Sequence, residues 1–219
     1  MLVKAKKSLG QNFLRSKAAL SAIVECSNIQ TSDTVIEIGP GEGVLTEELL
    51  KTGARVVAIE KDDRLIEILN QKFLEYTKQD KFELLHADVT DFDFAKLEKN
   101  YKVIANIPYY ITGLIMRKLI DDGGAQSLTL LVQREVAERG CARDGKGSLL
   151  SNSILSFGVP KYVKTVPRGS FVPSPNVDSA ILYIKRHDVS VFKDAQEKGL
   201  FFELIHAGFA HKRKTLLHN

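Results

Sequence analysis

The sequence has little of what membrane, secreted or metal-binding proteins depend on. No apolar run approaches the roughly 18 residues of a membrane-spanning helix, and no apolar signal core follows the basic N-terminus. The two cysteines, Cys26 and Cys141, lie far apart, and the five histidines form no metal-ligand pattern. We therefore expect a cytoplasmic protein with reduced thiols, no membrane partner and no structural metal.

The composition is that of an ordinary globular protein, and its charge is unevenly distributed. Of its 219 residues, 44% are hydrophobic and 26% are charged, which is enough for one substantial core. The net charge is +4 over residues 1–27, −7 over 28–100 and +7 over 101–219. Basic flanks around an acidic middle could meet a polyanion. Charge alone slightly favours the alternative that these lysines and arginines are simply solvated.

Apolar runs and helical segments alternate along most of the chain. Strands are predicted at 34–38, 55–59, 82–86, 101–105, 127–133, 161–166 and 180–184, and helices at 16–26, 44–52, 62–76, 112–120, 134–140 and 149–157. Strands that alternate with helices imply an α/β fold with a mostly parallel, doubly wound sheet.

A glycine-rich turn and three polar residues each follow one of the first four predicted strands. Gly39 and Gly41 lie in the turn, Glu60 ends the second strand, and Asp88 and Asn106 follow the next two. Such residues meet at the carboxyl edge of a parallel sheet, where adenosine-bearing cofactors bind. We expect the adenine at Asp88, the ribose at Glu60 and the remainder at Gly39. The alternative is that Glu60 and Asp88 only cap the helices that follow them.

The segment Asn106-Ile107-Pro108-Tyr109-Tyr110 suits a planar ring that bears an exocyclic amine. Pro108 keeps Ile107 extended, so that the Ile107 carbonyl and the Asn106 amide oxygen can accept the two amine hydrogens. Tyr109 would cover the ring. A strand end followed by a proline turn is the alternative that this motif alone leaves open. Tyr110 has no assigned role.

A stiff loop and a basic region follow later in the chain. Pro173 and Pro175 restrict the loop that carries Phe171, so the aromatic ring is held in place. Residues 134–168 contain seven basic and three acidic residues, as expected of an RNA-facing rim. A solvated charged loop is the alternative.

Five sequence blocks together resemble the ribosomal RNA adenine dimethyltransferases of the bacterial KsgA type, to which the Erm methyltransferases are related. The blocks are Gly10-Gln11-Asn12-Phe13-Leu14, residues 35–43, Asn106-Ile107-Pro108-Tyr109, residues 171–179 and residues 209–216. They span nearly the whole chain, and the last one favours the KsgA type.

The resemblance implies a Rossmann-like, S-adenosylmethionine-dependent methyltransferase. By family position, the residues that contact the cofactor are Asn12, Leu14, Gly39, Glu60, Asp88 and Asn106. The implied substrate is a pair of adjacent adenosines in the 3′-terminal hairpin loop of 16S small-subunit ribosomal RNA, each dimethylated on its exocyclic amine. The implied partner is the pre-small-subunit ribosomal particle in late assembly, and we expect a monomer.

We expect catalysis to depend on alignment. Tyr109 and Phe171 would hold the flipped adenine between them, recovering roughly 1–3 kcal/mol by stacking. Asn106 and Ile107 would free the lone pair of the amine, so that in-line displacement needs neither metal nor strong base.

Two domains are expected. Residues 1–187 would form the catalytic domain with an N-terminal basic arm. Residues 188–219 would form only the beginning of a helical C-terminal RNA-binding domain. Three alternatives stay open: a resistance methyltransferase of 23S large-subunit RNA, a non-catalytic RNA-binding assembly factor, and, more distantly, a nicotinamide dehydrogenase.

Overall fold

The protein is built on a seven-stranded sheet. The computed structural model describes residues 3–122, 124–143 and 145–210. The strands of the main sheet are β2 (Thr34–Ile38), β3 (Arg55–Glu60), β4 (Phe82–His86), β5 (Tyr101–Asn106), β6 (Ala125–Gln133), β7 (Gly158–Val166) and β9 (Ser179–Arg186). Their order is β4-β3-β2-β5-β6-β9-β7. The pairs from β4 to β6 are parallel, and only β9 pairs antiparallel with both of its neighbours. The predicted α/β fold with a mostly parallel sheet is confirmed.

Helices cover both faces of the sheet, and each face has its own apolar core. Three helices bury their apolar stripes on one face: α1 (Lys17–Ser27), α2 (Val44–Leu50) and α3 (Asp63–Lys72). Three others do so on the opposite face: α5 (Thr112–Asp122), α6 (Arg134–Gly140) and α7 (Leu149–Phe157). The central strands are therefore buried on both sides, which explains their nearly continuous apolar sequences.

Most element predictions agree with the structure, and the differences have local causes. The helix predicted over 62–76 ends at Lys72 and is followed by the separate α4 (Leu74–Lys78). Phe73 breaks it with φ −109° and ψ 17°, and its buried ring packs 4.9 Å from the ring of Phe82. Burial of an aromatic ring outweighs helix continuation here.

The N-terminal arm, residues 3–14, forms a strand that the sequence did not predict. Phe13–Leu14 (β1) pairs antiparallel with Phe171–Val172 (β8), with Leu14 opposite Phe171. Both Phe13 and Leu14 are buried. Ser16 then caps α1 by accepting a hydrogen bond from the Ala19 N–H.

The C-terminal part of the described chain is the helix α8 (Ala195–Gly208). It lies against the end of α5, where Lys198 Nζ donates to the carbonyl oxygens of Ile120 at 3.2 Å and Asp121 at 3.1 Å. Most of the block at 209–216 lies outside the described residues. No helix in the described ranges is long and apolar enough to cross a membrane.

Ile104 lies at the centre of β5, the strand that leads to Asn106, and its side chain is 1% exposed. Ile104→Ala should lower the free energy of unfolding by about 3 kcal/mol, because it removes buried methyl groups and leaves a cavity. Urea denaturation measures this loss. The control Leu114→Ala, on the exposed side of α5, should cost less than about 1 kcal/mol. Equal losses in the two variants would contradict this placement of the core.

Candidate active site

A cavity of about 330 Å³ opens at the carboxyl edge of the parallel strands. That volume lies within the range of roughly 300–1,000 Å³ typical of small-molecule sites. Its walls come from the arm, the glycine turn and the ends of β3, β4 and β5. All seven predicted cofactor residues lie on these walls: Asn12, Leu14, Gly39, Gly41, Glu60, Asp88 and Asn106. Ile107, Pro108 and Tyr109 do so as well.

The glycine turn is fixed to the end of β3 by Glu60. The Gly41 N–H donates to Glu60 Oε2 at 3.2 Å. Gly41 has φ +59°, and a Cβ there would lie 3.0 Å from the ring of Phe13. Both the left-handed conformation and the close approach of the arm therefore require glycine at this position.

Glu60 is a buried carboxylate that main-chain donors satisfy. Its Oε1 accepts from the N–H groups of Lys61 at 2.9 Å and Asp62 at 2.8 Å. Burial raises the pKa of Glu60 above its ordinary value, against these hydrogen bonds, which lower it. A carboxylate has about four acceptor positions, so a hydroxyl donor from the cavity can still be accommodated.

Asp88 follows β4 and lines the cavity. It forms an ion pair with Lys61, and its Oδ1 accepts from the Thr90 N–H at 2.9 Å. Burial works to raise the pKa of Asp88, but the hydrogen bonds from Lys61 and Thr90 outweigh it and lower the pKa to about 2. Asp88 is therefore an ionised acceptor at neutral pH.

Asn106 joins β5 to the arm. Its Nδ2 donates to the Asn12 carbonyl oxygen at 3.0 Å. The amide oxygen then faces the other way and remains available as an acceptor, as the predicted role requires. Pro108, with φ −55° and ψ 130°, is extended and begins a short 3₁₀ turn at Tyr109–Ile111.

Tyr109 is held at its hydroxyl end. Its Oη lies 2.6 Å from Oγ of Ser179, the fully buried first residue of β9. Burial raises the pKa of Tyr109, so the phenol stays neutral. The ring is thus fixed at the cavity wall before any ligand arrives.

Phe171 is not among the residues that line this cavity, and the stacking role expected for it stays a prediction. Its side chain is 3% exposed and packs in the core that contains Leu14. Phe171 holds β1 in place through the β1–β8 pair.

Glu37 is a buried acid beside the cavity that the sequence analysis gave no role. It is 1% exposed, and its Oε2 accepts from Oγ1 of Thr46 at 2.6 Å. Burial raises its pKa to about 8 from an ordinary value of 4.5, with a further increase from Glu60. Glu37 is therefore mostly protonated at pH 7.

Four further residues around the cavity were missed. Lys61, Glu42 and Tyr110 line it, and Tyr110 is 66% exposed. Asp62, which the sequence indicates only as the start of the helix predicted over 62–76, is buried and binds the arm. No sequence signal marks Glu42 or Tyr110, because their partners lie on a segment far away in the chain. Asp62 could have been suspected from its position two residues after Glu60.

The cavity offers acceptors more than donors. The carboxylates of Glu42, Glu60 and Asp88, the amide of Asn106 and main-chain groups of the turn line this space, together with the fixed ring of Tyr109. This arrangement suits a ligand with hydroxyl and amine donors and a flat ring. Nothing in it resembles a nucleophile paired with a base.

Comparisons with known proteins agree on one family. The family model described as "Ribosomal RNA adenine dimethylase" matches residues 2–219. A "Ribosomal RNA small subunit methyltransferase A" from Dehalococcoides mccartyi is 43% identical over 98% of this chain and 74% of its own length. The crystal structure of a dimethyladenosine transferase from Plasmodium falciparum is 32% identical, with a TM-score of 0.81, covering 93% of this chain and 73% of that one. The 23S rRNA methyltransferase ErmE is 26% identical, with a TM-score of 0.81, covering 94% and 82%.

The buried acid Glu37 should make the stability of the protein depend on pH. Above pH 4.5 the unfolded chain releases this proton, whereas the folded chain keeps it up to about pH 8. The free energy of unfolding therefore falls as the pH rises through this window, and Glu37→Gln removes that loss. Relative to the unchanged chain, the variant should gain roughly 3 kcal/mol between pH 5 and pH 8, measured by urea denaturation.

Glu67→Gln, on the exposed side of α3, is the control and should show no such gain. A stability difference between Glu37→Gln and the unchanged chain that stays constant from pH 5 to pH 8 would contradict the assignment.

Proposed function

The chain belongs to the ribosomal RNA adenine dimethylase family, and we propose that it dimethylates the exocyclic amines of two adjacent adenosines in the 3′-terminal hairpin loop of 16S ribosomal RNA. It is an enzyme and uses S-adenosylmethionine as methyl donor. The observation that carries the proposal is the position of Asn106, which lies between the cofactor residues and the fixed ring of Tyr109.

We assign the cofactor to the acceptor-rich part of the cavity. Glu60 would accept hydrogen bonds from the ribose hydroxyls, and the ionised Asp88 would accept from the adenine amine. The glycine turn would lie along the remainder of the cofactor, where Gly39 and Gly41 bring main chain close to it. When bound, the cofactor supplies a methyl group already activated by its sulfonium.

We assign the target base to the neighbouring part of the cavity. A base must leave its stack to arrive there, which is less costly in a hairpin loop than in a duplex. Tyr109 would cover one face of the adenine. Phe171 would cover the other face, although its ring is buried in this structure, and exposed Tyr110 is a further aromatic ring of the turn after β5.

The amine needs alignment and an available lone pair. The Asn106 amide oxygen and the Ile107 carbonyl would accept its two hydrogens, which favours a pyramidal nitrogen over one conjugated with the ring. In-line transfer then requires that the nitrogen and the methyl carbon be held together. The proton can leave to water afterwards.

The predicted basic rim gains support from the shape of β7. A bulge after Tyr162 shifts its register, so that Lys161 lies opposite Tyr183 and Lys164 opposite Ile181. These two partners are two residues apart on β9, so both lysines point to the same face of the sheet. Both are exposed on this edge strand, and we propose that they contact RNA phosphates.

We further propose the pre-small-subunit particle as the partner and a monomer as the working form. Residues 188–219 would begin an RNA-binding domain, of which α8 is the described part.

Asn106→Ala should lower kcat for methyl transfer to small-subunit particles at least about 100-fold, because it removes an acceptor that aligns the amine. Affinity for S-adenosylhomocysteine, measured by calorimetry, should fall by less than about tenfold. Labelled S-adenosylmethionine reports turnover, and primer extension on both ribosomal RNAs locates the modified bases. Asn152→Ala on α7, whose amide donates to the Ser148 carbonyl, is the matched control.

Normal turnover by Asn106→Ala would exclude the proposed role. Modified bases in 23S RNA, and none in 16S RNA, would favour the resistance type of enzyme. Cofactor binding without any turnover by the unchanged chain would favour a non-catalytic assembly factor.

The paired substitution Lys161→Gln/Lys164→Gln should weaken RNA binding and reduce the slope of log affinity against log salt by about two. The Kd for a 16S hairpin RNA at several salt concentrations measures this. Lys51→Gln/Lys78→Gln is the control, since both lysines form exposed ion pairs with neighbouring glutamates. An unchanged slope in the first variant would remove these lysines from the RNA interface.

A further inference from the structure

We propose that Asp62 is a positioning residue that fastens the N-terminal arm, residues 3–14, over the cofactor cavity and thereby sets how long the cofactor stays bound. The identity of that ligand rests on the proposed function. The fastening itself rests only on contacts between Asp62 and the arm.

The arm is part of the cavity wall. Leu9, Gly10, Gln11, Asn12, Phe13 and Leu14 all line it. The C-terminal end of the arm is held by the β1–β8 pair and by the bond from Asn106 to the Asn12 carbonyl. The N-terminal end has no strand partner in the described structure. It is instead held by side chains, and most of these converge on Asp62.

Asp62 binds two side chains of the arm with its two carboxylate oxygens. Gln11 Nε2 donates to Oδ2 at 2.8 Å, and Lys6 Nζ lies 3.3 Å from Oδ1. Gln11 also accepts, through Oε1, from the Lys6 N–H at 2.8 Å. These three bonds close a ring between the arm and the first turn of α3.

Arg64 strengthens the same ring from outside. Its Nε and Nη2 donate to Asp62 at 2.9 and 2.6 Å, and its Nη1 donates to the Lys4 carbonyl oxygen at 3.0 Å. The side chain of Asp62 is completely buried under these partners. The hydrogen bonds from Arg64, Gln11 and Lys6 keep the pKa of Asp62 well below its ordinary value. A buried carboxylate with this many donors is costly to leave unpaired, so releasing the arm is disfavoured.

Capping of α3 does not account for these contacts. The capping bond, from the Arg64 N–H to Oδ1, is 3.3 Å long, whereas Gln11 and the Arg64 guanidinium lie closer. Serine or asparagine would cap as well, but only a carboxylate attracts the Lys6 ammonium. We call the bonds from Gln11 and Lys6 to Asp62 the latch. The Asp62 N–H also donates to Glu60, so the latch adjoins the carboxylate that is expected to bind the ribose.

The arm meets Tyr110 on the other side of the cavity. Gly10 has φ +60°, and a Cβ there would lie 3.0 Å from the Tyr110 ring. The arm therefore crosses the cavity from the start of α3 to the turn after β5. Release at Asp62 loosens one end of this crossing, where the bond from the Val3 N–H to Glu42 Oε1 at 3.1 Å remains.

The experiment compares Asp62→Asn with Asp63→Asn in the full chain. Asparagine has nearly the same shape and remains a good helix cap, so the folded state is kept. The neighbouring Asp63 is exposed and binds only His86 among the described residues, which makes it the matched control. Asp62→Asn should weaken binding of S-adenosylhomocysteine about tenfold, through faster dissociation. The KM for S-adenosylmethionine should rise by a similar factor, while kcat at saturation changes less than about twofold.

A second set of variants distinguishes loss of the latch from a general effect of Asp62→Asn on the structure. In Lys6→Met/Gln11→Leu the arm partners are already gone, so adding Asp62→Asn should change cofactor affinity less than about twofold. Additive losses in the combined variant would overturn the proposal, because Asp62 would then act without the arm.

Limited trypsin digestion tests the latch without any ligand. Cleavage after Lys4 and Lys6 should be about tenfold faster in Asp62→Asn than in Asp63→Asn, and equal rates would overturn the proposal. If the unchanged chain fails to bind S-adenosylhomocysteine, the proposed function is overturned, and the digestion still decides the role of Asp62.

Discussion

The site depends first on how the buried carboxylate of Glu60 is satisfied. An ionised carboxylate loses several kcal/mol of hydration on burial unless donors replace the water. Here the N–H groups of Gly41, Lys61 and Asp62 do so. Two of these donors belong to the segment after β3 and one to the turn after β2, so a single side chain fixes the relative position of two loops. The glycine turn, the arm that packs on Gly41 and the start of α3 all take their places from this one group.

Main-chain donors at Glu60 have a chemical consequence for the rest of the cavity. Because the main chain provides these donors, no neighbouring side chain is needed to donate to Glu60, and the groups around it are acceptors: the ionised Asp88, the Asn106 amide oxygen and the Ile107 main-chain carbonyl. A site rich in fixed hydrogen-bond acceptors suits a reaction in which the methyl donor is already activated and the nucleophile is a neutral amine. Alignment of the amine with the methyl group then accelerates the reaction, as proton abstraction by a general base does in other enzymes. The neutral, buried Glu37 fits this picture, since a further negative charge beside Glu60 would raise the cost of burial.

The sequence was sufficient to predict a residue's role wherever that role depends only on the segment that carries the residue and on the order of the strands. Strand ends in a parallel sheet meet at one edge, so Gly39, Glu60, Asp88 and Asn106 could be placed together from the order of elements alone. Roles that depend on contacts distant in sequence could not be predicted. Phe171 was assigned to the cavity because proline holds its loop, but pairing of that loop with Leu14 turns the ring into the core. Asp62 could be predicted only as the start of a helix, because its arm partners lie more than 50 residues earlier. Phe73 interrupts a helix because its ring packs on β4, which the helical pattern does not reveal.

The pairing of β1 with β8 also determines when the site can form. The first strand of the chain lies on the cavity wall, but its partner at Phe171–Val172 is made after five of the parallel strands and seven of the helices. A chain emerging from the ribosome can build the sheet from β2 to β6 while the arm still lacks its partner strand. Contacts so distant in sequence are slow to close. The arm therefore cannot complete its strand pair until most of the sheet has been synthesised, and the nascent protein has Glu60, Asp88 and Asn106 well before this part of the cavity wall can close.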